Sequence, residues 1–163
     1  MNPPIRSERH HKGLWRGITD GIVDAIGSDH APHTHEEKAL EYPNSPSGMP
    51  GVQTLLPIML DHMNSGRLSL ERLIHLTSLG PSRLYGLLNK GNIAIGYDAD
   101  FSLVDLKCKK SISRDWLASK CGWSPFLDQT VTGWPVTTIL RGNPVMRDST
   151  VISTPQGKPV NFE

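Results

Sequence analysis

The sequence predicts a mixed α/β fold, with a helical N-terminal part and a β-rich C-terminal part. Three observations support this prediction. Apolar residues between Val52 and Met63 recur at helical spacing. The short apolar run Ile22–Ile26 follows a predicted helix and precedes a polar loop, which is one step of an alternating α/β arrangement. After Asn89, short apolar runs alternate with turns that contain Gly and Asp, as in antiparallel strands. We therefore expect a boundary near residues 88–90.

Four helices are expected before that boundary, with ends assigned from capping residues and glycines. Ser7 is the predicted cap of the first helix, and Ser69 is the predicted cap of the third. Pro57 lies inside the second apolar pattern, so that helix either bends there or begins later than the pattern does. The expected ranges are 8–20, 52–64, 70–77 and 80–87.

The strands are predicted from apolar runs that are bounded by turn residues. Ile22–Ile26 is expected to be a short, mostly buried strand. Two short strands around a Gly/Asp turn are expected within residues 91–105. A hairpin is expected near the C-terminus, with strands at 136–140 and 145–147. Trp116 and Trp123 lie between these regions and can fill a small core.

Composition and charge exclude several classes of function. The 163 residues carry 17 Lys and Arg against 16 Asp and Glu, so no basic excess exists to neutralise a nucleic-acid backbone. No apolar run approaches the ~18 residues of a membrane span, and we expect no signal peptide. Cys108 and Cys121 form no CxxC pair, so a reducing compartment and a cytoplasmic location are expected.

Residues 27–50 show no stable periodicity, and a long loop of this kind is usually functional or disordered. Asp29 follows the predicted strand directly, where α/β folds place reacting groups. It could bind a metal and act as a general base, and His33 could donate a hydrogen bond to an anionic substrate. Spacing alone leaves a second interpretation open, in which Asp29 caps a turn and the histidines are solvated.

Three sequence blocks carry a family resemblance: Asn2–Arg6, Asp24–Lys38 and Pro46–Thr54. In combination they resemble the C-terminal part of a dihydroorotase of the longer bacterial and multifunctional-complex type, within the amidohydrolase superfamily. The Gly91–Asp100 stretch is similar to the junction at which many amidohydrolases leave the barrel. The resemblance implies the last βα units of a metal-dependent (β/α)₈ barrel in residues 1–88, and part of a small β-sandwich domain in residues 89–163.

The resemblance also implies roles for individual residues. Asp29 matches the aspartate that binds one metal, most commonly zinc, and that acts as acid and base. Asn2 and His33 match positions that contact the substrate. Ser47 and Gly48 match the place where backbone groups of a loop bind the dihydropyrimidine ring. His30 is frequent in this type of sequence, but no direct role is expected for it.

Dihydroorotases interconvert N-carbamoyl-L-aspartate and L-dihydroorotate reversibly in pyrimidine biosynthesis. The HxH pair and the other metal ligands of the family pattern are absent from this sequence, so we expect a fragment that is inactive alone and associates with a complementing part of the barrel. Two alternatives remain open at this point. The chain could be a non-catalytic partner of aspartate transcarbamoylase, or another cyclic-amide hydrolase such as an allantoinase or hydantoinase.

Overall fold

A computed structural model describes residues 1–4 and 7–163, so Ile5 and Arg6 of the first sequence block lie outside the described residues. None of the helices described is long and apolar enough to cross a membrane. A π-helical turn, His75–Leu79, joins α4 to α5, and a 3₁₀ turn covers Arg114–Trp116. The other elements are α1 (Arg9–Thr19), α2 (His35–Lys38), α3 (Leu55–Asn64), α4 (Leu70–Ile74), α5 (Gly80–Leu84), β1 (Phe101–Ser111), β2 (Thr130–Leu140), β3 (Asn143–Arg147) and β4 (Thr150–Val151).

The four predicted helices are confirmed, with differences at their ends. The cap of α1 is Glu8, so the prediction of Ser7 as the capping residue is wrong. Ser69 caps α4 as predicted, because its side-chain oxygen accepts a hydrogen bond from the Arg72 N–H at 3.1 Å. Helix α3 begins later than its apolar pattern. This start places Pro57 in the first helical turn, where no intrahelical N–H donor is needed.

The segment before the polar loop packs against α4 and the turn that follows it. The Arg72 guanidinium donates hydrogen bonds to the carbonyls of Ile18, at 2.6 Å, and Val23. The Ile26 N–H donates to the Leu76 carbonyl at 3.1 Å. A Cβ on Gly80 would lie 2.0 Å from the Asp24 carbonyl oxygen, so only glycine permits this approach.

The strand predicted at Ile22–Ile26 is not formed within residues 1–4 and 7–163. A strand exists only where a neighbouring strand completes its backbone hydrogen bonds. The described sheet is antiparallel and is built from later residues. The segment therefore bonds to a helix carbonyl instead.

The sheet has four antiparallel strands in the order β1-β2-β3-β4. The predicted C-terminal hairpin is confirmed, and both residues of its turn, Arg141 and Gly142, have positive φ. The prediction of two strands within residues 91–105 is wrong, because only β1 forms there. The residues before β1 are instead held by Lys90, which forms ion pairs with Asp98 at 2.7 Å and with Asp100.

Helix α3 packs across β2 and joins two apolar clusters. A Cβ on Gly133 in β2 would lie 2.7 Å from the Leu60 Cβ, so helix and strand are in direct contact. The Asn64 amide adds hydrogen bonds to carbonyls of both β1 and β2. One cluster lies among the helices, and the other lies under the sheet. Their buried members are Met59, Leu60, Leu68, Leu73 and Leu76 in the first, and Ile112, Val131 and Trp134 in the second.

Candidate active site

Two segments from the polar region dock against each other and form the candidate site. The first is the Asp29 loop, residues 28–33, and the second is the Ser47 loop, residues 46–51. The Ala31 N–H donates to the Met49 carbonyl at 3.1 Å, and His30 and Met49 form a parallel bridge. Two of the three sequence blocks that carried the family resemblance are therefore neighbours in space.

Two buried glycines allow this close contact. A Cβ on Gly48 would lie 2.5 Å from the Ala31 Cβ, and the φ of 118° at Gly48 is itself unfavourable for other residues. A Cβ on Gly51 would lie 2.9 Å from the Ser28 carbonyl oxygen. The Ser47 loop thus rests on the Asp29 loop through backbone surfaces rather than through large side chains.

His30 connects the two loops through its side chain. Its Nδ1 accepts hydrogen bonds from the N–H groups of Gly51, at 3.0 Å, and Val52, at 3.4 Å. This arrangement places the proton of the neutral ring on Nε2. No direct role was expected for His30 from the sequence, whereas the structure gives it a positioning role within the site.

Asp29 and His33 lie at the two ends of the Asp29 loop. Asp29 is exposed and has φ of 43°, a left-handed conformation that Asp adopts more readily than most residues. The Nδ1 of His33 lies 3.6 Å from the Oε2 of Glu37, and its carbonyl accepts a hydrogen bond from the indole of Trp123 at 2.7 Å. The predicted catalytic carboxylate thus faces solvent, whereas the histidine is held on two sides.

The structure brings together four of the five residues that the resemblance singled out. Asp29 and His33 lie on one loop, and Ser47 and Gly48 lie on the loop that docks against it. Ser47 is exposed, and Gly48 is buried. Asn2 is exposed near the N-terminus, and it has no hydrogen bond to either loop among the residues that the structure describes.

The structure contains a single-turn helix, α2, that was not predicted from the sequence. Its capping box is complete, since the Thr34 hydroxyl accepts from the Glu37 N–H at 3.2 Å and the Glu37 carboxylate accepts from the Thr34 N–H at 2.7 Å. A hydrogen bond from its own backbone N–H, together with the Thr34 side chain, holds the pKa of Glu36 below its usual value. The T-x-x-E spacing is a known start signal and could have revealed this helix.

A later part of the chain closes one side of the site. The amide of Gln53 donates to the Trp116 carbonyl at 2.6 Å and accepts from the Ala118 N–H at 2.8 Å. A pocket of about 290 Å³ lies between the two docked loops with the start of the next segment, residues 30–54, and the later residues 117–124. Its lining consists of His30, Pro50, Gly51, Val52, Gln53, Thr54, Leu117, Ala118, Ser119, Trp123 and Ser124.

The described residues do not complete a metal site. Asp29 offers one carboxylate, but no group of three or more His, Cys, Asp or Glu side chains could hold a metal ion within residues 1–4 and 7–163. A catalytic zinc ion commonly takes three protein ligands. Any metal site that uses Asp29 therefore needs ligands from outside the described residues.

A protein-family model agrees with this arrangement. The model described as the amidohydrolase family matches residues 5–145, which include both loops, α3 and most of the sheet. The chain belongs to the amidohydrolase family. Members of this family are generally metal-dependent. Membership explains why the blocks around Asp29 and Ser47 occur in one chain. These blocks carry no glycine-rich phosphate motif and no nucleophile elbow.

Curated relatives in the amidohydrolase family include several archaeal dihydroorotases. The chain is 43% identical over 151 residues to the dihydroorotase of Halobacterium salinarum. The aligned region covers 93% of this chain and 36% of the relative. It is 40% identical over 157 residues to the dihydroorotase of Methanosarcina mazei, and that aligned region covers 95% of this chain and 34% of the relative. The chain therefore spans about a third of the length of the relatives it matches.

Solved amidohydrolases confirm the predicted fold class. The L-hydantoinase (dihydropyrimidinase) of Arthrobacter aurescens superposes with a TM-score of 0.87 at 36% identity, covering 93% of this chain and 35% of that one. The D-hydantoinase (dihydropyrimidinase) of a Thermus species superposes with a TM-score of 0.89 at 29% identity. That match covers 94% of this chain and 35% of the hydantoinase. The helices and the antiparallel sheet thus match about a third of each of these solved chains.

Proposed function

We propose that this chain is part of a dihydroorotase, which catalyses the reversible cyclisation of N-carbamoyl-L-aspartate to L-dihydroorotate in pyrimidine biosynthesis. The observation that carries the proposal is the 43% identity to the Halobacterium salinarum dihydroorotase across 93% of this chain. The length that the chain lacks relative to those enzymes leads us to propose further that it works together with the remaining part of a barrel.

The contact between the two loops supports specific roles. Asp29 is the proposed catalytic acid and base, because it is exposed at the end of the Asp29 loop. His33 is the proposed contact for a substrate carboxylate, and Asn2 is a second proposed substrate contact. Ser47 and Gly48 are proposed to bind the ring through their backbone, since their loop lies directly against Ala31.

The proposed chemistry suits a carboxylate in this position. In the hydrolytic direction, water adds to the ring carbonyl carbon, the C–N bond breaks, and the leaving amide nitrogen gains a proton. Asp29 can accept the proton that the water loses and return it to that nitrogen. One carboxylate then serves both steps and ends the cycle in its starting ionisation state.

Several finer features belong to the same proposal. The bound metal is proposed to be zinc, with Asp29 as one ligand, and it would supply Lewis-acid activation of the carbonyl. We place the barrel part in residues 1–88 and the small β-rich domain in residues 89–163. The proposed location is the cytoplasm, and aspartate transcarbamoylase is a proposed partner of the assembled enzyme.

A second candidate is a hydantoinase-type hydrolase, which acts on a related cyclic amide. The 36% identity and the TM-score of 0.87 to the Arthrobacter aurescens L-hydantoinase favour it. The identity to dihydroorotases is higher, at 43%. Assaying the assembled enzyme with dihydroorotate, hydantoin and allantoin separates the candidates, because each predicts a different preferred substrate.

The test of the proposed function supplies this chain with the remaining part of the Halobacterium salinarum dihydroorotase as a second polypeptide. We expect metal-dependent conversion of dihydroorotate from the mixture and none from this chain alone. Asp29→Asn should lower kcat by at least about 100-fold, the usual contribution of a general acid or base. The measurement is the absorbance change of dihydroorotate during hydrolysis.

Asp24→Asn is the matched control for this test. Asp24 is an exposed carboxylate five positions earlier in the chain, so the same substitution there should leave kcat unchanged. Wild-type activity of the Asp29→Asn enzyme would contradict the role of Asp29. A mixture that hydrolyses hydantoin but not dihydroorotate would favour the second candidate.

A further inference from the structure

Lys38, the last residue of α2, reaches across to the Ser47 loop. Its ammonium group donates hydrogen bonds to the Pro46 carbonyl at 2.7 Å and to the Gly48 carbonyl at 3.1 Å. The Ser45 hydroxyl donates in return to the Lys38 carbonyl at 3.1 Å. The Lys38 side chain is partly buried, and it has no carboxylate partner among the described residues. The positively charged ammonium group of Lys38 therefore interacts with backbone carbonyl oxygens.

These two hydrogen bonds determine the orientation of the backbone around Ser47. The Pro46–Ser47 peptide is trans, so its N–H points away from its carbonyl oxygen. Because Lys38 holds that oxygen, the Ser47 N–H is directed away from Lys38. The N–H groups of Ser47 and Gly48 donate no hydrogen bond within the described part of the chain. Ser47 is exposed, so its N–H is available to a ligand.

Lys38 is itself held in a defined position. It lies at the end of a helix whose start is fixed by the reciprocal bonds of Thr34 and Glu37. That helix follows His33 directly, so the same turn that places His33 also places the ammonium group. Hydrogen bonds from a charged donor are shorter and stronger than neutral ones.

We propose that Lys38 is a positioning residue, which holds the Pro46 and Gly48 carbonyls so that the backbone N–H group of Ser47 faces the substrate. This inference deepens the proposed function and depends on it for the identity of the ligand. The ligand chemistry is a ring carbonyl or carboxylate oxygen, because the group presented is a hydrogen-bond donor.

Three variants of the full chain test the inference. Lys38→Met keeps an unbranched side chain of similar length but removes the donors and the charge. Lys38→Arg keeps the charge and several donors. Lys12→Met makes the same change as the first variant at an exposed position of α1, and it serves as the control.

Hydrogen–deuterium exchange of each isolated variant gives the deciding measurement. In Lys38→Met, the amides of Ala31 and Gly51, whose hydrogen bonds join the two loops, should exchange about tenfold faster, which corresponds to about 1.4 kcal/mol. Lys38→Arg should restore the exchange rates, and Lys12→Met should leave them unchanged. Unchanged exchange in Lys38→Met would overturn the proposal, and so would equally faster exchange throughout the chain.

The assembled enzyme gives a second measurement. Loss of a correctly oriented ring-binding donor should raise KM for dihydroorotate about tenfold in Lys38→Met, whereas kcat changes much less. A fall in kcat with KM unchanged would overturn the role in substrate positioning. If the unmodified mixture lacks dihydroorotase activity, the proposed function fails, while the exchange data still decide whether Lys38 positions the loop.

Discussion

The two docked loops and the interface between α3 and the sheet are held together in different ways. The loops meet through glycine backbone and a histidine nitrogen, with few large apolar side chains between them, and the ammonium group of Lys38 in α2 holds the Ser47 loop. The α3–sheet interface buries Trp134, Val131 and Leu60 almost completely. Burial of apolar area stabilises the interface, whereas specific directional contacts set the shape of the site.

This difference separates stability from site geometry. A change in the apolar interface should lower the free energy of unfolding of the whole chain. A change in the loops should alter their local position and exchange, with less effect on overall stability. Three further predictions test this separation, beginning with the one that should have the largest effect.

Trp134→Ala should lower the free energy of unfolding by about 3–5 kcal/mol, because it leaves a large cavity in the interface. Trp134 is only 2% exposed, and its ring lies 4.6 Å from that of Trp116. Denaturant unfolding measures the effect. Tyr42→Ala is the control, since Tyr42 is 93% exposed and should contribute almost nothing. Equal losses in the two variants would contradict the comparison.

Gly48→Ala should cost about 1–3 kcal/mol, because the new methyl group overlaps Ala31. The loss should be accompanied by faster amide exchange in residues 28–33 and 46–51, but not in the sheet. Gly13→Ala in α1 is the matched control. A Cβ there meets open space, so the substitution should stabilise the helix by about 1 kcal/mol. Faster exchange in the sheet of Gly48→Ala would show that the loops are not independent of the core.

The smallest expected effect concerns pH and the packing of α1. Burial lowers the pKa of His62 from its usual 6.5, the charge of Arg67 lowers it further, and Asp61 opposes both. The ring also packs edge-on against Trp15, with centroids 4.8 Å apart. The unfolded chain therefore binds more protons than the folded chain just below pH 6.5, and the free energy of unfolding should decrease as the pH falls through this range.

His62→Gln should reduce that pH dependence, as measured by denaturant unfolding between pH 5 and 7.5. His11→Gln provides the control, because His11 is exposed on α1. The dependence of the free energy of unfolding on pH should be retained in His11→Gln. A slope that is the same in both variants would show that another group causes the loss of stability.

The sequence predicted the parts of the fold that depend on local signals. The apolar spacing of α3, the Ser69 cap and the hairpin around Arg141 and Gly142 each arise within a few residues. The predicted strand at Ile22–Ile26 failed for the opposite reason. Its formation depends on neighbouring strands, and the described sheet is built elsewhere in the chain.

The candidate site divides in the same way. Asp29, His33, Ser47 and Gly48 could be named from sequence blocks, and their roles remain predictions. The residues that hold these blocks were not found, although Thr34 and Glu37 carry a local signal. Lys38 and Trp123 act through contacts with distant backbone carbonyls, and such contacts leave no mark on the spacing of residues.

The hydrogen bond between Trp123 and His33 also affects the order of events during synthesis. It joins residues 90 positions apart. At a translation rate of about 5–20 residues per second, His33 emerges roughly 5–20 s before the indole that holds its carbonyl has been made. Local helices form in microseconds or less. The nascent chain therefore has time to form α2 and α3 long before the Asp29 loop gains this last contact.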